Sequence, residues 1–246
     1  MKKKTKVFII TIFVVVILVS IIHVFLNMNN KSFLENVEGK IYYLKRDEGI
    51  LKLYKSDANL KNEELIYSHY KKRKTNYGTY NDNISDFRYY SDSGVIEFEA
   101  MHDGEWSIFR IKDGEKEPQY IKTAPEEYKT IDNYRVVSVD VNYIDLETDE
   151  FKIYEKDDSI YLERDGTEKC IKKYRGGAKS DISGLVGYVP EGLSPDSKYL
   201  IYGTTGSFTG IGALLGISKY KRYIMDLDTL ESVEYINSES IQWINE

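Results

Sequence analysis

The fold is decided by Leu193-Ser194-Pro195-Asp196-Ser197-Lys198-Tyr199-Leu200-Ile201-Tyr202, a turn sequence followed by an apolar strand pattern. A second copy, Tyr90-Ser91-Asp92-Ser93-Gly94-Val95-Ile96-Glu97-Phe98, aligns with residues 194–202 without a gap. In each repeat the third strand ends at an aspartate: Asp57, Asp113, Asp165 and Asp228. Their spacings of 56, 52 and 63 residues suit a four-stranded unit with its connections. We therefore predict an all-β, antiparallel, β-propeller-like array of about four blades.

The residues between the repeat positions support short strands and tight turns. Runs such as Tyr199-Leu200-Ile201-Tyr202 place aromatic and β-branched residues at alternate positions, as half-buried strands require. Asp113-Gly114 and Asp165-Gly166 are typical turn sequences between them. An aspartate at the head of a turn can accept a hydrogen bond from the backbone two residues on. We therefore expect the repeated aspartates, Asp196 and Asp113 among them, to be turn residues rather than ligands or acids.

These motifs resemble the TolB-like propeller repeat, which also occurs in the propeller domains of prolyl oligopeptidases. The usual form of that repeat is Ser-Pro-Asp-Gly-Lys followed by an apolar strand that ends in an aromatic residue. The chain keeps Ser194-Pro195-Asp196 and Lys198, but has Ser197 where glycine is usual. The resemblance covers about residues 40–246 and implies a propeller fold far more than it implies a function.

The two ends of the repeat region indicate how the array closes. The first repeat starts at Lys40 with a strand of the second type, so an innermost strand is missing before it. The C-terminal run Ile241-Gln242-Trp243-Ile244 has the character of that missing strand. Because an unpaired sheet edge favours aggregation, we expect this run to complete the first blade. An open array and a five-bladed ring remain alternatives.

The N-terminal segment predicts a membrane anchor. Four lysines in residues 1–6 precede an apolar run over residues 7–26, whose 20 residues would span about 30 Å as a helix. The expected organisation is a cytoplasmic tail at 1–6, a single transmembrane signal anchor at 7–26, a linker at 27–39 and an extracytoplasmic domain at 40–246. A cleaved signal peptide is the alternative, although no small-x-small cleavage site follows the run.

Charge excludes some partners. The net charge is −6, but the first 30 residues carry +4, so the remaining 30 basic and 40 acidic residues give −10. A nucleic-acid partner is not expected, because phosphates require basic surfaces. The single cysteine, Cys170, is expected to be a strand residue and cannot form an intramolecular disulfide. The composition, rich in Tyr, Lys, Asn and Ile, suits a low-GC bacterium.

The sequence contains no recognisable catalytic constellation, and we expect no catalytic residue, cofactor or metal. His23, His69 and His102 lie in different contexts, and none has metal-ligand spacing from another. The acidic cluster that includes Asp140, Asp145 and Glu147 is consistent with a calcium site, but a solvated strand edge fits its spacing better. Lys71-Lys72-Arg73-Lys74 is expected to be an exposed loop.

One segment is unusual in a chain that is 30% charged. Residues 203–217 are rich in glycine and apolar residues and carry no charge. They separate two strands that a hairpin of two to five residues would normally join. Long loops of this kind are usually functional. Either the segment covers the core as a plug, or it presents four candidate binding residues to a partner or a membrane: Phe208, Ile211, Leu214 and Leu215.

The function expected from these features is a membrane-anchored, extracytoplasmic binding or scaffold module without enzymatic activity. It would recognise a protein, a peptide or a cell-envelope component through loops on one face of the array. The alternative is an envelope-acting hydrolase or lyase, or a subunit of one, whose acid–base chemistry would come from carboxylates such as Asp140, Asp145 or Glu147. A pure assembly factor that docks its apolar loop onto a membrane partner is a third hypothesis.

Overall fold

The computed structural model describes residues 13, 17, 32–75, 78–102, 104–123, 146–174, 185–206 and 221–244. The chain divides into two compact units, Met1–Glu38 and Gly39–Glu246. In the first unit, Phe13, Ile17 and residues 32–34 have helical backbone. The second unit contains all the strands of the described chain.

The prediction of a transmembrane helix over residues 7–26 is wrong, and so is the single-pass location that rested on it. Spanning a bilayer as a helix requires about 20 consecutive, mostly apolar residues. Within the part of the chain that the structure describes, no helix reaches the length and apolarity that such a span requires. Only Phe13 and Ile17 of the proposed span belong to that part, and its other positions lie outside the described residues.

The second unit contains four antiparallel sheets of four strands each, which we call blades 1 to 4. This topology confirms the predicted all-β, propeller-like array of about four blades. The strands of blade 1 are, from the inside outward, β18 (Ser240–Ile244), β1 (Lys40–Asp47), β2 (Ile50–Asp57) and β3 (Glu64–Tyr67). Those of blade 2 are β6 (Ile84–Tyr90), β7 (Val95–His102), β8 (Glu105–Lys112) and β9 (Gln119–Thr123).

The other two blades follow the same order. Blade 3 contains β10 (Leu146–Glu147), β11 (Phe151–Lys156), β12 (Ser159–Arg164) and β13 (Thr167–Lys172). Blade 4 contains β14 (Leu185–Leu193), β15 (Tyr199–Gly206), β16 (Arg222–Asp226) and β17 (Ser232–Glu234). A separate two-stranded hairpin, β4 (Lys71–Thr75) and β5 (Gly78–Asp82), lies between blades 1 and 2 in the chain. The basic run 71–74 is therefore a strand, not the exposed loop that the sequence predicted.

Blade 1 joins the two ends of the array, as the sequence predicted. Strand β18 pairs antiparallel with β1, with Trp243 opposite Ile41 and Ile244 opposite Lys40. This close approach explains Gly39, whose φ is 98° and where a Cβ would lie 2.7 Å from Trp243 Nε1. Any side chain at Gly39 would collide with the closing strand. The C-terminal strand therefore completes the first sheet.

Two apolar clusters form the core of the array. One lies between blades 1 and 2, and its fully buried members include Leu53, Ile84 and Ile96. The other lies between blades 3 and 4 and includes Ile153, Ile160 and Leu200. On β1, Tyr42 and Leu44 belong to the first cluster, and Ile41 and Tyr43, whose side chains point to the other face, are also fully buried, so blade 1 buries both faces.

Two aspartates at different positions of the repeat, Asp196 and Asp113, make different hydrogen bonds. Asp196 Oδ1 accepts hydrogen bonds from Ser194 Oγ at 2.6 Å and from the Lys198 N–H at 3.2 Å, which confirms the predicted turn role. Asp113 also lies in a turn, but its carboxylate accepts hydrogen bonds from Tyr42 at 3.0 Å and Lys55 at 2.8 Å in blade 1. Asp113 is therefore a structural turn residue, as predicted, and it also links blade 2 to blade 1, which the sequence did not predict.

Candidate functional site: the insertion face

The connections between strands divide the array into two unlike faces. Because neighbouring strands are antiparallel, the turn between the second and third strands of each blade lies at the same edge as the connection to the next blade. We call the surface formed by these edges the insertion face. It carries the long connections of the chain, 68–83, 124–145, 173–184 and 207–221, which contain 12 to 22 residues. On the opposite surface, the turn face, the connections between the described strands contain two to six residues.

Contacts between blades show that corresponding strands of neighbouring blades run in the same direction, so that their insertion-face edges lie on the same side of the array. Ser240 Oγ lies 3.3 Å from Asp86 Oδ1, and the Gln242 amide bonds both the N–H and the C=O of Tyr89, at 2.8 and 3.0 Å. Strands β18 and β6 therefore run in the same direction. On the other side, the Tyr188 N–H donates to the Asp158 carbonyl at 3.0 Å. This bond places the start of β14 beside the turn between β11 and β12.

An aromatic ladder crosses blade 2 and ends on its outer strand, β9, beside the insertion-face residue His102. Phe98, Phe109 and Tyr120 occupy paired positions of β7, β8 and β9, and their neighbouring ring centroids are 5.4 and 5.7 Å apart. Phe98 and Phe109 are buried, whereas Tyr120 is 48% exposed. His102 ends β7 at the insertion face, and its ring lies 5.8 Å from Tyr120. The ladder therefore has an exposed end with two rings that a partner could contact.

The structure brings together two histidines that the sequence placed apart. The ring centroids of His69 and His102 are 6.4 Å apart, and both rings contact Phe109, at 5.2 and 5.6 Å. His69 Nε2 lies 2.9 Å from the Met101 carbonyl oxygen, which fixes the ring beside β7. Tyr67, at the end of β3, packs against the same ladder. The described residues contain no cluster of three or more side chains suited to hold a metal ion.

The candidate binding residues of the apolar segment fall outside this description. Phe208, Ile211, Leu214 and Leu215 lie outside the described residues. The flanking strands are described: β15 ends at Gly206 and β16 begins at Arg222, both at the insertion-face side of blade 4. The chain thus leaves and re-enters the array on the face where His102 ends β7.

The carboxylates named for the enzymatic alternative are not brought into a cleft by the described structure. Asp140 and Asp145 lie outside the described residues, and Glu147 is exposed in the short strand β10. A different carboxyl group is perturbed. Burial, opposed by hydrogen bonds from the Phe87 N–H and Ser240, raises the pKa of Asp86 to about 6. Asp86 Oδ1 accepts both of these bonds, so this oxygen links β6 to the closing strand.

A buried ion pair holds the connection that leads into β18. Arg222, which is 2% exposed, donates from Nε to Glu191 Oε2 at 2.5 Å and from a terminal nitrogen to the Ser238 carbonyl at 2.5 Å. Burial raises the pKa of Glu191, although Arg222 opposes this effect. The phenol of Tyr235, in the same connection, donates to the Ala58 carbonyl of blade 1 at 2.5 Å. Blade 4 therefore fixes the path of the chain to blade 1.

Comparison with solved structures finds proteins with propeller domains, at low overall similarity. TolB from Acinetobacter baumannii is 13% identical over 80% of this chain and 52% of its own, with a TM-score of 0.27. The tricorn protease is 10% identical over 83% of this chain and 26% of its own, with a TM-score of 0.25. A chain of a nidogen/laminin complex is 12% identical over 80% of this chain and 60% of its own, with a TM-score of 0.21.

The matched part of this chain therefore spans about half of the TolB chain and about a quarter of the tricorn chain. No family model and no curated protein matches the sequence. The propeller-like fold consequently rests on the four sheets and on the closure by β18, and a particular propeller family is not assigned.

Proposed function

We propose that this protein is a propeller-like binding module that holds a protein or peptide partner through its insertion face. The observation that carries the proposal is the difference in connection length between the two faces. All connections of 12 residues or more join strand ends at one face. Binding residues commonly lie on loops that a rigid scaffold positions, and long connections are a common place for them.

The chemistry of the described surface supports a partner of this kind. Tyr120 and Tyr70 are 48% and 44% exposed, and His102 adds a third exposed ring beside Tyr120. Aromatic side chains are enriched at protein interfaces, because they bury a large area with few rotatable bonds. The four apolar residues Phe208, Ile211, Leu214 and Leu215 belong to this proposed surface through the connection 207–221. An exposed cluster of that type would favour a partner.

The enzymatic alternative has less support among the described residues. Asp86 is the carboxyl group with a raised pKa near 6, but the oxygen that would exchange a proton accepts two hydrogen bonds within the array. Acid–base catalysis requires a group that can reach a substrate atom within hydrogen-bond distance. A structural junction between β6 and β18 accounts for Asp86 without such chemistry.

Peptide ligands selected by display against the full chain provide a direct test. Their affinities are measured for the wild type, for Tyr120→Ala and, as a matched control on the turn face, for Tyr90→Ala. The proposal predicts at least about tenfold weaker binding for Tyr120→Ala, equivalent to about 1.4 kcal/mol, and less than twofold change for the control. Affinities that depend on Tyr90, or on neither tyrosine, would contradict it.

The double variant Leu214→Ser/Leu215→Ser tests the apolar connection in the same assay. If these residues contact the partner, binding weakens while the melting temperature stays within a few degrees of the wild type. If instead they cover the core, the free energy of unfolding falls by several kcal/mol, as for other large-to-small changes in a core. The second result would remove them from the binding surface.

A further inference from the structure

A second aromatic feature lies at the junction of blades 3 and 4. Tyr188, Tyr202 and Tyr223 stand side by side on β14, β15 and β16, on the face that packs against blade 3. The rings of Tyr202 and Tyr223 are stacked at 5.2 Å, and the ring of Tyr188 is nearly perpendicular to that of Tyr202 at 5.9 Å. Three ring faces thus surround one small volume near the insertion face. We call this set the tyrosine cage.

The cage already holds a cation from its own chain. Lys172 Nζ lies 5.2, 5.4 and 5.6 Å from the ring centroids of Tyr188, Tyr202 and Tyr223. An ammonium within about 6 Å of a ring face is attracted by the ring quadrupole. The other cationic groups over aromatic rings in the described chain, such as Lys156 over Tyr161, each face a single ring.

The backbone directs Lys172 into the cage by an irregularity of β13. Tyr161 pairs with Cys170, whereas the preceding residue, Ile160, pairs with Lys172. Ile171 is therefore an extra residue of β13 without a partner position in β12. Bulges of this kind redirect a side chain to the other side of a sheet. Without the bulge, regular alternation would place Lys172 on the side opposite Ile171, away from blade 4. Lys172 instead shares the side of Ile160, which packs against blade 4.

The cage is neutral and rigid on its inner side. Tyr202 is fully buried, and its phenol donates to Ser232 Oγ at 3.1 Å. Burial, opposed by this hydrogen bond, raises the pKa of Tyr202 to about 12. The Tyr202 ring therefore stays uncharged at physiological pH and attracts a cation through its face. Lys172 is half-buried, so the volume that its side chain fills reaches the surface.

We propose that the tyrosine cage binds a side-chain ammonium group of a partner peptide, lysine or methylated lysine, and that Lys172 is an internal occupant that this group displaces. Rings that surround a cation are the usual means of recognising such groups. The body of the chain carries a net charge of −10 after the first 30 residues, which favours a basic peptide. The inference rests on the proposed function and names the chemistry of its partner.

The experiment titrates the full chain with tetramethylammonium and follows the tyrosine ring signals by NMR. Lys172→Ala and the bulkier Lys172→Met remove the internal cation, Tyr223→Leu removes one ring, and Lys156→Ala is the control for a lysine over one ring. We expect Lys172→Ala and Lys172→Met to bind at least about tenfold more tightly than the wild type. The double variant Lys172→Ala/Tyr223→Leu loses that gain, and Lys156→Ala behaves like the wild type. The neutral analogue 3,3-dimethylbutanol, whose tert-butyl group has nearly the shape of a trimethylammonium group, should not compete.

Unchanged affinity in both well-folded Lys172 variants, or equal binding of the neutral analogue, would overturn the proposal. The two Lys172 variants guard against misfolding, because methionine keeps most of the volume of lysine. The outcome is separable from that of the proposed function. If Lys172→Ala binds ammonium but peptide affinity does not depend on insertion-face residues, the cage is supported and the proposed binding function is contradicted. If peptide affinity depends on the insertion face but the Lys172 variants gain no ammonium affinity, the proposed binding function is supported and the cage is contradicted.

Discussion

The turn face and the insertion face of the array show how one fold divides stability from recognition. At the turn face, blades are linked by specific polar and aromatic contacts: Asp113 bonds Tyr42 and Lys55, and Tyr199 stacks on Trp243 at 6.2 Å. The insertion face also has bonds between blades, such as that from the Tyr188 N–H to the Asp158 carbonyl, but there the sheets are joined by the long connections, and His102 is exposed beside Tyr120. Connection length, rather than the presence of contacts between blades, therefore distinguishes the two faces, and the long connections can vary because the blades are held together at both edges.

Removal of the closing strand is expected to have the largest effect on this comparison. Deleting residues 240–246 removes the buried Ile244, the half-buried Ile241 and Trp243, and the Gln242 bonds to Tyr89. Since a large apolar side chain contributes roughly 1.5–3 kcal/mol when fully buried, we expect a loss of at least about 4 kcal/mol. The melting temperature should fall by roughly 10 °C.

The control for this deletion is removal of residues 245 and 246 alone, which keeps all of β18. Calorimetry of both truncated chains measures the difference. If the chain with the longer deletion melts within about 2 °C of the control, β18 does not stabilise the array. That result would contradict the role of the closing strand in holding the blades together.

Asp86, at the junction of blades 1 and 2, is expected to make the stability of the array depend on pH. Burial raises the pKa of Asp86 to about 6, so the folded state binds its proton more tightly than the unfolded state does. Its contribution therefore favours folding at low pH, declines between about pH 4 and 6, and is absent above that range. A shift of about two units corresponds to about 3 kcal/mol.

Asp86→Asn keeps an oxygen that can accept from Ser240 and the Phe87 N–H, but carries no charge. We expect this variant to be more stable than the wild type by about 1–3 kcal/mol at pH 7.5, and to lose that advantage at pH 4. Urea unfolding at the two pH values measures the effect. An equal change at both values would show that the charge of Asp86, beside Glu99 and Arg88, does not oppose folding.

Asp113 and Asp196 compare a bond between blades with a bond inside one turn. Burial opposes ionisation of Asp113, but hydrogen bonds from Lys55 and Tyr42 hold its pKa below the usual value. Asp113→Ala removes the acceptor for both groups and should lower stability by about 1–3 kcal/mol. Asp196→Ala loses only the local bonds and should lower it by about 0.5–2 kcal/mol.

Thermal melts rank the two variants, and peptide affinity should be unchanged in both. A double-mutant cycle of Asp113→Ala with Tyr42→Phe tests the cross-blade bond itself. Coupling near zero would mean that the contact between blades adds nothing, and that both aspartates act only within their turns.

The smallest expected effect concerns the repeat position where glycine is usual. Ser197 has a φ of 58°, a left-handed conformation that disfavours residues with a Cβ. Ser197→Gly removes this strain but makes the unfolded chain more flexible, so we expect a gain of at most about 1 kcal/mol. Ser93→Gly is the matched control, since the left-handed residue of its turn is Gly94, one position later. A loss of stability in Ser197→Gly would show that the serine side chain outweighs the strain.

The sequence predicted what depends on alternation and on local bonds. The repeat in Tyr199–Tyr202 and the pattern of Ile241–Ile244 identify strands, because side-chain burial in a sheet follows a two-residue period. The role of Asp196 was predictable because its hydrogen bonds reach residues two positions away.

Other features depend on contacts that no local pattern contains. Asp113 and Tyr42 are 71 residues apart in the chain, and the histidine pair forms only when β3 and β7 meet. The cage at Lys172 depends on a bulge, which alternation alone does not predict. The apolar run 7–26 shows a different limit, because hydropathy predicted a membrane span that the described structure does not support.

The central claim is that the insertion face, and not the turn face, contacts the partner. Photo-crosslinking residues placed at four exposed positions in the full chain test it in cells: Glu48 and His102 on the insertion face, and Asp92 and Glu115 on the turn face. We expect one partner to be captured from Glu48 and His102, and not from Asp92 or Glu115. Capture of that partner from the turn-face positions alone, or equally from all four, would contradict it.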